Sequence, residues 1–555
     1  MKNKITRLLL SIALVPCFIQ PISIRETLRS CAKTVPYPKT AAVAIAATAV
    51  GTAWYCSHSY ERRENWDNYD LDFSKFHEDF KFGVATSDLQ LSGVETVNDG
   101  TIENNWTDWE KELILPKDIR PWWKKLLFKN EAPEEMTPRI PEEKRMGTST
   151  GHWKKYQEDF TLAKDFGLDS IRISLEMSKY LPNNPNDYNN EVLEHYIQYL
   201  QTLDTLTLET MLCFYHHALP KWFVAQGGFE KSENIDSFVN AIVYTFKNLK
   251  EAGVIKEGTR ILTFNEPAGY VLAAYVYGKY PPGEKLQLTK AGVVLKNMLD
   301  AHIKIYEKLK EIDDTVQVSL AHMMQPLQPY NPWDPLDILP AKTFDYLLNH
   351  VTLEYLSTGV FKWLNCDGKV PQWKVYETNN DAKNKLDFIG VNYYTHTLLS
   401  WFKAKVRPTE TTGDAAEGEE GKAIYPEGFY DSLKIVHSYF PNTPLYITEI
   451  GISTSDPKLA ELHLRSHLYQ IQKCLEEGIT ILGVHKWGLL RGEYGWNSGN
   501  GNKYGLFNVD YTKEDMPRSQ EKSSEPYRAL IAEHKRIHNR DIFLQKEVDT
   551  SITRK

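Results

Sequence analysis

Short apolar runs recur along the chain between residues 80 and 487, and stretches with helical periodicity separate most of them. In the helical stretches, such as 156–167 and 237–253, apolar residues return every three or four positions. The apolar runs are rich in β-branched residues and apolar on both faces, which is typical of strands in a sheet covered on both sides. There are eight of them, at residues 80–87, 170–177, 210–216, 260–266, 316–324, 387–394, 444–451 and 479–487. Eight alternating units predict an α/β fold, a closed (β/α)₈ barrel of parallel strands.

Polar side chains stand where these predicted strands end. In a (β/α)₈ barrel the carboxyl ends of all strands meet on one face, and that face carries the active site. Two of the runs deliver a glutamate there: "ILTFNEP" leads to Glu266 and "PLYITEIG" to Glu449. The other polar or aromatic residues at or near strand ends are Gln90, Arg172, Glu176, His216, His217, Asn265, His322, Asn392, Tyr394 and Trp487. We therefore expect these side chains to converge on one site.

Two carboxyl groups at one site suit the cleavage of an acetal. Glu266 would protonate the leaving oxygen, and Glu449 would act as the nucleophile that stabilises the developing oxocarbenium charge. Arg172 and the Tyr394 hydroxyl are the groups predicted to keep Glu449 ionised. A carboxyl separation of about 5–5.5 Å would give retention of configuration. The competing interpretation is that each glutamate is a solvated rim residue or a neighbour of a helix N-cap.

The adjacent histidines His216 and His217 also allow two interpretations. They are either buried, hydrogen-bonded core residues or members of a metal site. Neighbouring residues on a strand point to opposite faces, which argues against both binding one metal ion. The six cysteines show no CxxC or CxxH spacing, so neither a metal site nor a disulfide framework is indicated. The sequence predicts no metal and no cofactor.

Composition and charge exclude some classes of protein. The chain has 555 residues, 42% of them hydrophobic, which is ample for a large core in one barrel domain. Its formal net charge is −8 and no basic stripe stands out in the body, so a nucleic-acid partner is not expected. The 12% of aromatic residues suit a core and also a sugar-binding cleft, where rings stack on apolar sugar faces.

Residues 1–65 differ from the rest and predict a targeting or membrane-associated segment, while residues 66–555 are predicted to form one barrel domain. Two uncharged apolar runs, 8–24 and 40–56, each lie near the lower length limit for a membrane span. The first suits a signal sequence and the second an anchor, with a cleaved or disordered targeting segment as the alternative. We expect membrane association. Basic residues before the second run favour a body on the far side, although the side of the membrane stays open.

Two connections between predicted strands are unusual in composition. Residues 113–146 contain "PWWKKLLF", which mixes aromatic and basic residues and would rim the site, touch a membrane or pack on the barrel. Residues 408–422 are acidic and poor in apolar residues, which favours a solvated loop.

Several of these motifs resemble those of glycoside hydrolase family 1, the retaining β-glycosidases. They occur in order over about residues 75–535 and are "FGVATSDLQLSG", "TFNEP", "DFIGVNYY", "YPEGFY", "YITEIG" and "KYGLFNVD". The pairing of "TFNEP" with "TEIG" at this separation is specific. The resemblance implies a (β/α)₈ barrel, no metal, and hydrolysis of O-glycosidic bonds like that of a β-glucosidase or β-galactosidase.

The resemblance also implies a set of site residues. Glu266 matches the acid and base, and Glu449 matches the nucleophile. Arg172 and Tyr394 match the supports of the nucleophile. The positions that match the family's substrate-binding residues are Gln90, His216, Asn265, Trp487 and Trp496.

The chain departs from the family pattern around the sugar site. Four positions replace a glutamate, two tryptophans and an asparagine of the family, in that order: Ser92, Met177, His217 and Ile450. In the eighth-strand motif "WGLLRGEYGW" stands for the family's "WSLLDNFEW". The glutamate that holds the sugar's 4- and 6-hydroxyls therefore becomes Gly495 or shifts to Glu493. The two catalytic positions are retained, while sugar recognition is altered.

Three functions follow as hypotheses. The leading one is a membrane-anchored retaining β-glycosidase that hydrolyses a β-glucoside or β-galactoside by double displacement. The second is a transglycosylase acting on a glycolipid, because "CFYHHALP", "AKDFGLDSIRISLEMS" and the N-terminus resemble a galactolipid-remodelling branch of the family. The third is a catalytically silent sugar-binding barrel. The glycone, the aglycone and the oligomeric state stay open.

Overall fold

The structure, a computed structural model, describes residues 69–114, 117–118, 136–137, 145–366, 371–400, 422–496 and 499–538. The predicted segment 1–65, the "PWWKKLLF" stretch at 121–128 and all but the last residue of the acidic connection 408–422 lie outside these ranges. Within them, no helix has the length and apolarity needed to cross a membrane.

Parallel strands close into an eight-stranded barrel. They are β1 (Lys81–Ala85), β2 (Ser170–Ser174), β3 (Glu209–Cys213), β4 (Arg260–Asn265), β5 (Gln317–Met323), β6 (Ile389–Tyr393), β7 (Leu445–Ile450) and β8 (Ile481–Trp487). Each strand pairs with the next in the chain, and β8 closes on β1, where Ala85 lies opposite Trp487. Each predicted run overlaps one of these strands, so the predicted (β/α)₈ barrel is confirmed.

One helix of the outer ring follows each strand. These are α1 (His152–Phe166), α2 (Asn190–Thr205), α3 (Ile235–Glu251), α4 (Leu288–Ile312), α5 (Val351–Thr358), α6 (Pro426–Tyr439), α7 (Pro457–Glu476) and α8 (Glu525–Ile537). Further helical segments lie outside this ring, at Phe73–Lys75, Asp88–Ser92, Val97–Asp99, Asn105–Ile114, Met177–Tyr180, Lys221–Ala225, Gly228–Glu230, Ser232–Asn234, Pro267–Val271, Leu272–Val276, Pro335–Asp345, Tyr346–His350, Asn380–Ala382 and Lys522–Ser524. The connections also carry short strand pairs: Lys117–Asp118 with Met136–Thr137, Leu327–Pro329 with Thr397–Leu399, Val360–Asn365 with Gln372–Thr378, Tyr494–Gly495 with Gly499–Asn500, and Phe507–Val509 with Arg518–Gln520.

The sequence explains where several helices begin and end. α2 starts after Asn189, whose side chain accepts hydrogen bonds from two backbone N–H groups of the first turn, at 3.1 and 3.2 Å. α7 starts after Asp456, which caps its first turn, with Pro457 at the first helical position. α1 ends at Gly167, whose φ of 96° suits the left-handed cap.

Side chains fill the barrel interior. The Ser170 hydroxyl lies 2.8 Å from Nε2 of His485, and the Tyr446 hydroxyl lies 3.1 Å from the same nitrogen. Gly83 allows β1 and β2 to approach, because a Cβ there would lie 2.4 Å from the Ser170 carbonyl oxygen. A functional site must therefore lie at an end of the barrel rather than inside it.

Candidate active site

Glu449 lies at the carboxyl end of β7, and two groups hold its carboxylate. Arg172 on β2 forms an ion pair with Oε1. The Tyr394 hydroxyl, just after β6, donates to Oε2 over 2.6 Å. Burial and the nearby Glu449 charge raise the pKa of Tyr394 well above its ordinary value, so its hydroxyl keeps the proton it donates. Both oxygens of Glu449 therefore have a donor.

Glu266 follows β4 directly, in a left-handed backbone conformation with φ of 47°. Such a conformation is uncommon outside glycine and is found at functional sites. The Asn392 amide on β6 donates to Glu266 Oε1 over 2.8 Å and to Asn265 Oδ1 over 3.0 Å. The Thr448 hydroxyl on β7 donates to Asn392 Oδ1 over 2.6 Å, which fixes the orientation of that amide. Asn392 thus connects the strand ends that carry the two glutamates.

The surroundings raise the pKa of Glu266 to about 7. Burial of the carboxyl is the largest cause, and the negative charge of Glu449 is the second. The Asn392 hydrogen bond and the positive charges of Arg172 and Lys422 act against the rise. A glutamate with this pKa carries a proton near neutral pH and can also release it. The two carboxyl groups therefore lie in different environments, with ionic pairing at Glu449 and burial with repulsion at Glu266.

Asn265 and His216 extend the contacts toward β3. Arg172 Nη1 donates to Asn265 Oδ1 over 3.3 Å, and Asn265 Nδ2 lies 3.4 Å from His216 Nε2. Burial, with the charges of His217 and Arg172, lowers the pKa of His216 well below its ordinary value, so its ring is neutral. We call the connected set the glutamate network; its members are Arg172, Asn265, Glu266, Asn392, Tyr394 and Glu449.

Aromatic rings line the space beside this network. Trp487, at the end of β8, has its ring 5.6 Å from that of His216. Trp496, in the connection after β8, packs 4.2 Å from Trp106 and 6.1 Å from His216. The two predicted tryptophans thus meet at the same histidine.

The connection after β8 also brings in Gln90 and Glu493. Gln90 Nε2 donates to the carbonyl oxygen of Tyr494 over 2.8 Å. Glu493 is fully buried, and burial raises its pKa to about 8, while the nearby Trp487 indole and Asn502 amide oppose the rise. We call Gln90, His216, Trp487, Glu493 and Trp496 the β8 wall.

Of the two positions left as alternatives by the altered eighth-strand motif, Glu493 is the one that carries a carboxyl. Gly488 leaves room for this side chain, because a Cβ there would lie 3.2 Å from Glu493 Oε1. Gly495 pairs with Gly499 in a short strand and offers no side chain. The carboxyl at this end of the site therefore belongs to Glu493.

Several buried atoms of the β8 wall lack a hydrogen-bond partner in the described part of the chain. They are Gln90 Oε1, His216 Nδ1 and both carboxyl oxygens of Glu493. Buried polar groups without partners are rare and point to a missing ligand or water. The wall is therefore suited to bind a molecule rich in hydroxyl groups.

The structure brings all nine predicted site residues into the glutamate network or the β8 wall. Of the other strand-end candidates, Glu176 and His322 have partners elsewhere, and His217 packs against the wall, with its ring 5.1 Å from that of His216 and 5.6 Å from that of Trp496. Glu176 accepts hydrogen bonds from the Ser178 N–H and hydroxyl, at 3.1 and 2.7 Å, and so caps a short helix. His322 Nε2 lies 3.0 Å from the Asn349 carbonyl oxygen. His217 stacks on Tyr270 with ring centres 5.6 Å apart. Each has a structural explanation.

The argument from strand alternation does not apply to His216 and His217. β3 ends at Cys213, so both histidines lie in the connection that follows. Among the described residues, no group of three His, Cys, Asp or Glu side chains is placed to hold a metal ion.

Three residues near the site, Tyr280, Lys422 and Tyr504, were not predicted. Tyr280 packs 5.0 Å from Trp106, and Lys422 donates to the Tyr504 hydroxyl over 2.7 Å. All lie in connections after β4, β6 and β8, where no strand periodicity places a side chain. The one available signal was "KYGLFNVD", the motif that contains Tyr504.

A closed parallel barrel with a polar network at its strand ends has the architecture of the (β/α)₈ enzymes. The family comparison is more specific. The chain belongs to Glycosyl hydrolase family 1, whose profile matches residues 73–536. The predicted family and the predicted enzyme class, a glycoside hydrolase, are therefore confirmed.

The matches between this chain and its relatives span nearly the whole length of those relatives. The 6-phospho-beta-galactosidase of Clostridium acetobutylicum is 25% identical over 527 residues, 84% of this chain and 99% of the relative. The 6-phospho-beta-galactosidase of Staphylococcus aureus is 26% identical over 505 residues, which are 83% of this chain and 98% of the relative. Among solved structures, a beta-glycosidase from Pyrococcus horikoshii is 26% identical with a TM-score of 0.63, covering 85% of this chain and 99% of the other. A beta-glucosidase from Thermotoga maritima shares the fold at 22% identity and a TM-score of 0.66, and the match covers 83% of this chain and 99% of the other.

Proposed function

We propose that the chain is a retaining β-glycosidase in which Glu449 is the nucleophile and Glu266 is the general acid and base. The observation that carries the proposal is the unequal environment of the two carboxyl groups. Glu449 has an arginine and a phenol as donors, whereas Glu266 has a pKa raised to about 7. Pairs of carboxyl groups with divergent environments are how glycosidases divide the acid and nucleophile roles.

In the first step an oxygen of Glu449 attacks the anomeric carbon while Glu266 gives its proton to the leaving oxygen. The glycosidic bond breaks, the aglycone leaves as an alcohol, and a glycosyl ester of Glu449 forms. The ester has no charge, so the repulsion that helps to raise the pKa of Glu266 disappears. Glu266 can then remain ionised and serve as a base.

In the second step Glu266 takes a proton from water, and the water oxygen attacks the anomeric carbon. The ester bond breaks, which regenerates the Glu449 carboxylate and the Glu266 acid. Two inversions give overall retention. A sugar hydroxyl in place of water would give the transglycosylase predicted as the alternative, and residues 1–65, on which its link to membranes rests, lie outside the described residues.

We infer further that the preferred glycone is a neutral sugar bound by the β8 wall. Two of the relatives named above are 6-phospho-beta-galactosidases, but a phosphate at this wall would bring a second acidic group into the buried surroundings that already raise the pKa of Glu493, and burying a charge without a paired cation is costly. Two nearby cations are engaged elsewhere: Lys486 donates to the backbone carbonyl oxygens of Trp487 and Tyr504, and Arg491 pairs with Glu521. A neutral hydroxyl group, in contrast, supplies both a donor and an acceptor to Glu493.

The test is nitrophenol release by the full chain from aryl β-glucoside, β-galactoside and 6-phospho-β-galactoside, with Glu449→Gln as the control. We expect release from a neutral glycoside, none from the control, and poor turnover of the phosphorylated sugar. Preference for the phosphorylated sugar would overturn the glycone assignment and leave the mechanism intact. Equal release by the control would overturn the role of Glu449.

A further inference from the structure

Lys422 lies where three elements meet beside the two glutamates. It precedes α6, and its ammonium donates to the Tyr504 hydroxyl over 2.7 Å. The same ammonium lies 4.7 Å from the centre of the Tyr394 ring and 5.1 Å from that of the Tyr504 ring. The two rings meet edge to face with centres 6.0 Å apart. Lys422 therefore connects the end of β6 to the segment after β8.

We propose that Lys422 is a positioning residue for the reaction, which holds the phenol that donates to Glu449 and places a positive charge beside Glu266. The proposal rests on the proposed function, because it assigns a role within that reaction. It concerns a residue that neither the strand pattern nor the quoted catalytic motifs indicated.

The first effect runs through Tyr394. A cation over the face of an aromatic ring is attracted by the negative charge of that face, which restrains the ring. The cation also draws electron density from the phenol, so the hydroxyl becomes a stronger hydrogen-bond donor. This hydroxyl donates to Glu449 Oε2 over 2.6 Å. Lys422 thus stabilises the orientation and the hydrogen bond of the nucleophile.

The second effect acts on Glu266 through charge. The charged and titratable groups that face Glu266 come from β2, β7 and the connections after β4 and β6, and are Arg172, Glu449, Tyr280, Tyr394 and Lys422. The two tyrosines keep their protons, since burial raises both of their pKa values. Arg172 already forms the ion pair with Glu449, so Lys422 is the cation that can be removed without breaking that pair.

The positive charge has a defined role in the two-step reaction. It favours the ionised form of Glu266, which the second step needs as a base, and it opposes the burial that favours the protonated form. Loss of the charge should extend the protonated state of Glu266 to higher pH. It should also slow the second step at low pH, where the base is then protonated.

The experiment compares Lys422→Met with Lys422→Arg in the full chain. In the methionine variant we expect the alkaline limb of the pH profile of kcat/KM to move to higher pH by roughly half a unit. With a dinitrophenyl glycoside, whose leaving group needs no acid, we expect kcat below pH 6 to fall by up to about threefold, the fall in the ionised fraction of Glu266 that half a unit allows. Lys422→Arg keeps the charge, so both its alkaline limb and its kcat at low pH should match those of the unmodified protein. An unchanged limb in the methionine variant overturns the proposal.

A matched control is Lys473→Met on α7, whose ammonium lies 4.4 Å from the centre of the Tyr430 ring on α6. This variant loses the same kind of contact outside the site, and its pH profile should match that of the unmodified protein. If Lys422→Met does not fold, Lys422→Gln removes the charge and keeps a side chain that can donate to the Tyr504 hydroxyl. A limb that moves upward in this variant supports the proposal, and an unchanged limb overturns it.

A reading without turnover separates this proposal from the proposed function. The infrared band of the protonated Glu266 carboxyl, identified by its loss in Glu266→Gln, can be titrated directly. We expect it to persist to higher pH in Lys422→Met even if no glycoside is turned over. A titration unchanged by Lys422→Met contradicts the charge effect. If the band does persist to higher pH in Lys422→Met but no glycoside is turned over by the unmodified protein, only the proposed function is contradicted.

Discussion

The glutamate network and the β8 wall are both largely buried, but they differ in how their polar groups are satisfied. In the glutamate network both oxygens of Glu449 accept hydrogen bonds, and the Asn392 amide donates twice and accepts once. In the β8 wall, buried atoms of Gln90, His216 and Glu493 have no partner among the described residues. Leaving such an atom without a partner costs about 1–3 kcal/mol. In the glutamate network, Arg172 Nε also lacks a partner among the described residues, but both carboxyl groups have donors within the fold. The fold thus supplies the partners of the two catalytic carboxyl groups and leaves more of the β8 wall to a ligand.

The difference indicates a division of labour. A network with many internal hydrogen bonds holds its groups in one geometry, which favours chemistry that is the same for every substrate. A wall with open donors and acceptors discriminates between ligands that do and do not supply partners. Substitutions in the glutamate network should therefore change kcat for all glycosides, and substitutions in the β8 wall should change which glycoside is preferred.

The largest expected effect separates the two glutamates within the network. Glu449→Gln should lower kcat for every glycoside by about 10⁴-fold or more, because no ester can form. Glu266→Gln should lower turnover of an alkyl glycoside by about 10²–10⁴-fold and spare the first step with a dinitrophenyl leaving group, which needs no proton. Burst kinetics with both substrates measure this. Identical behaviour of the two variants would remove the distinction between acid and nucleophile.

Tyr394→Phe should come next in size. It removes one of the two donors to Glu449, and we expect kcat to fall about 10²-fold on all sugars with little change in their ranking. Steady-state kinetics on the glycoside panel check this. The matched control is the neighbouring Tyr393→Phe, whose hydroxyl instead donates to the Tyr425 carbonyl oxygen over 2.6 Å. The control should lower stability and leave kcat nearly unchanged; a reversed pattern would contradict the network.

Glu493→Ala removes the carboxyl group from the β8 wall. We expect kcat/KM for the preferred sugar to fall about 10–100-fold and the preference among sugars to flatten, because the sugar loses a hydrogen-bonding carboxyl. Competition between two glycosides in one reaction measures the preference. Glu176→Ala serves as the control, since that buried carboxyl caps a short helix instead. Unchanged selectivity in Glu493→Ala would mean that the wall does not bind the glycone.

The smallest effect concerns pH. Because Glu266 must carry a proton in the first step, kcat/KM should fall as pH rises through its pKa of about 7. Asn392→Ala removes a donor that favours the ionised carboxylate, so the pKa should rise and the alkaline limb should move up by roughly half a unit. The pH profile of kcat/KM on one nitrophenyl glycoside measures the limb. A limb that moves down would reverse the assigned direction.

Much of the fold and the glutamate network could be predicted from sequence because strands with local apolar patterns carry them. The runs that end at Glu266 and Glu449 specify both their strand and their position at its carboxyl end. Arg172 and Asn392 also lie within strands, so the barrel geometry brings them together. Tyr394 follows its strand directly.

In the β8 wall, Gln90, His216 and Trp487 were also indicated by strand ends, but the positions of Glu493, Trp496 and Lys422 could not be predicted in the same way. They depend on connections whose course is set by long-range contacts, such as the hydrogen bond from Gln90 to the Tyr494 carbonyl oxygen, 404 residues apart. Because the eighth-strand motif contains an inserted residue, the sequence leaves Glu493 and Gly495 as alternative matches to the family's glutamate. The membrane-associated segment at residues 1–65 and the transfer to a glycolipid remain predictions.

The most direct test of the central claim is to trap the intermediate. The full chain would be incubated with a 2-deoxy-2-fluoro-β-glycoside that has a dinitrophenyl leaving group, and its intact mass and peptide map would be recorded. We predict a mass increase equal to one fluoroglycosyl group, located on Glu449 and absent in Glu449→Gln. A label on any other residue, or turnover of this reagent without a covalent adduct, would contradict the assignment of Glu449 as the nucleophile of a retaining glycosidase.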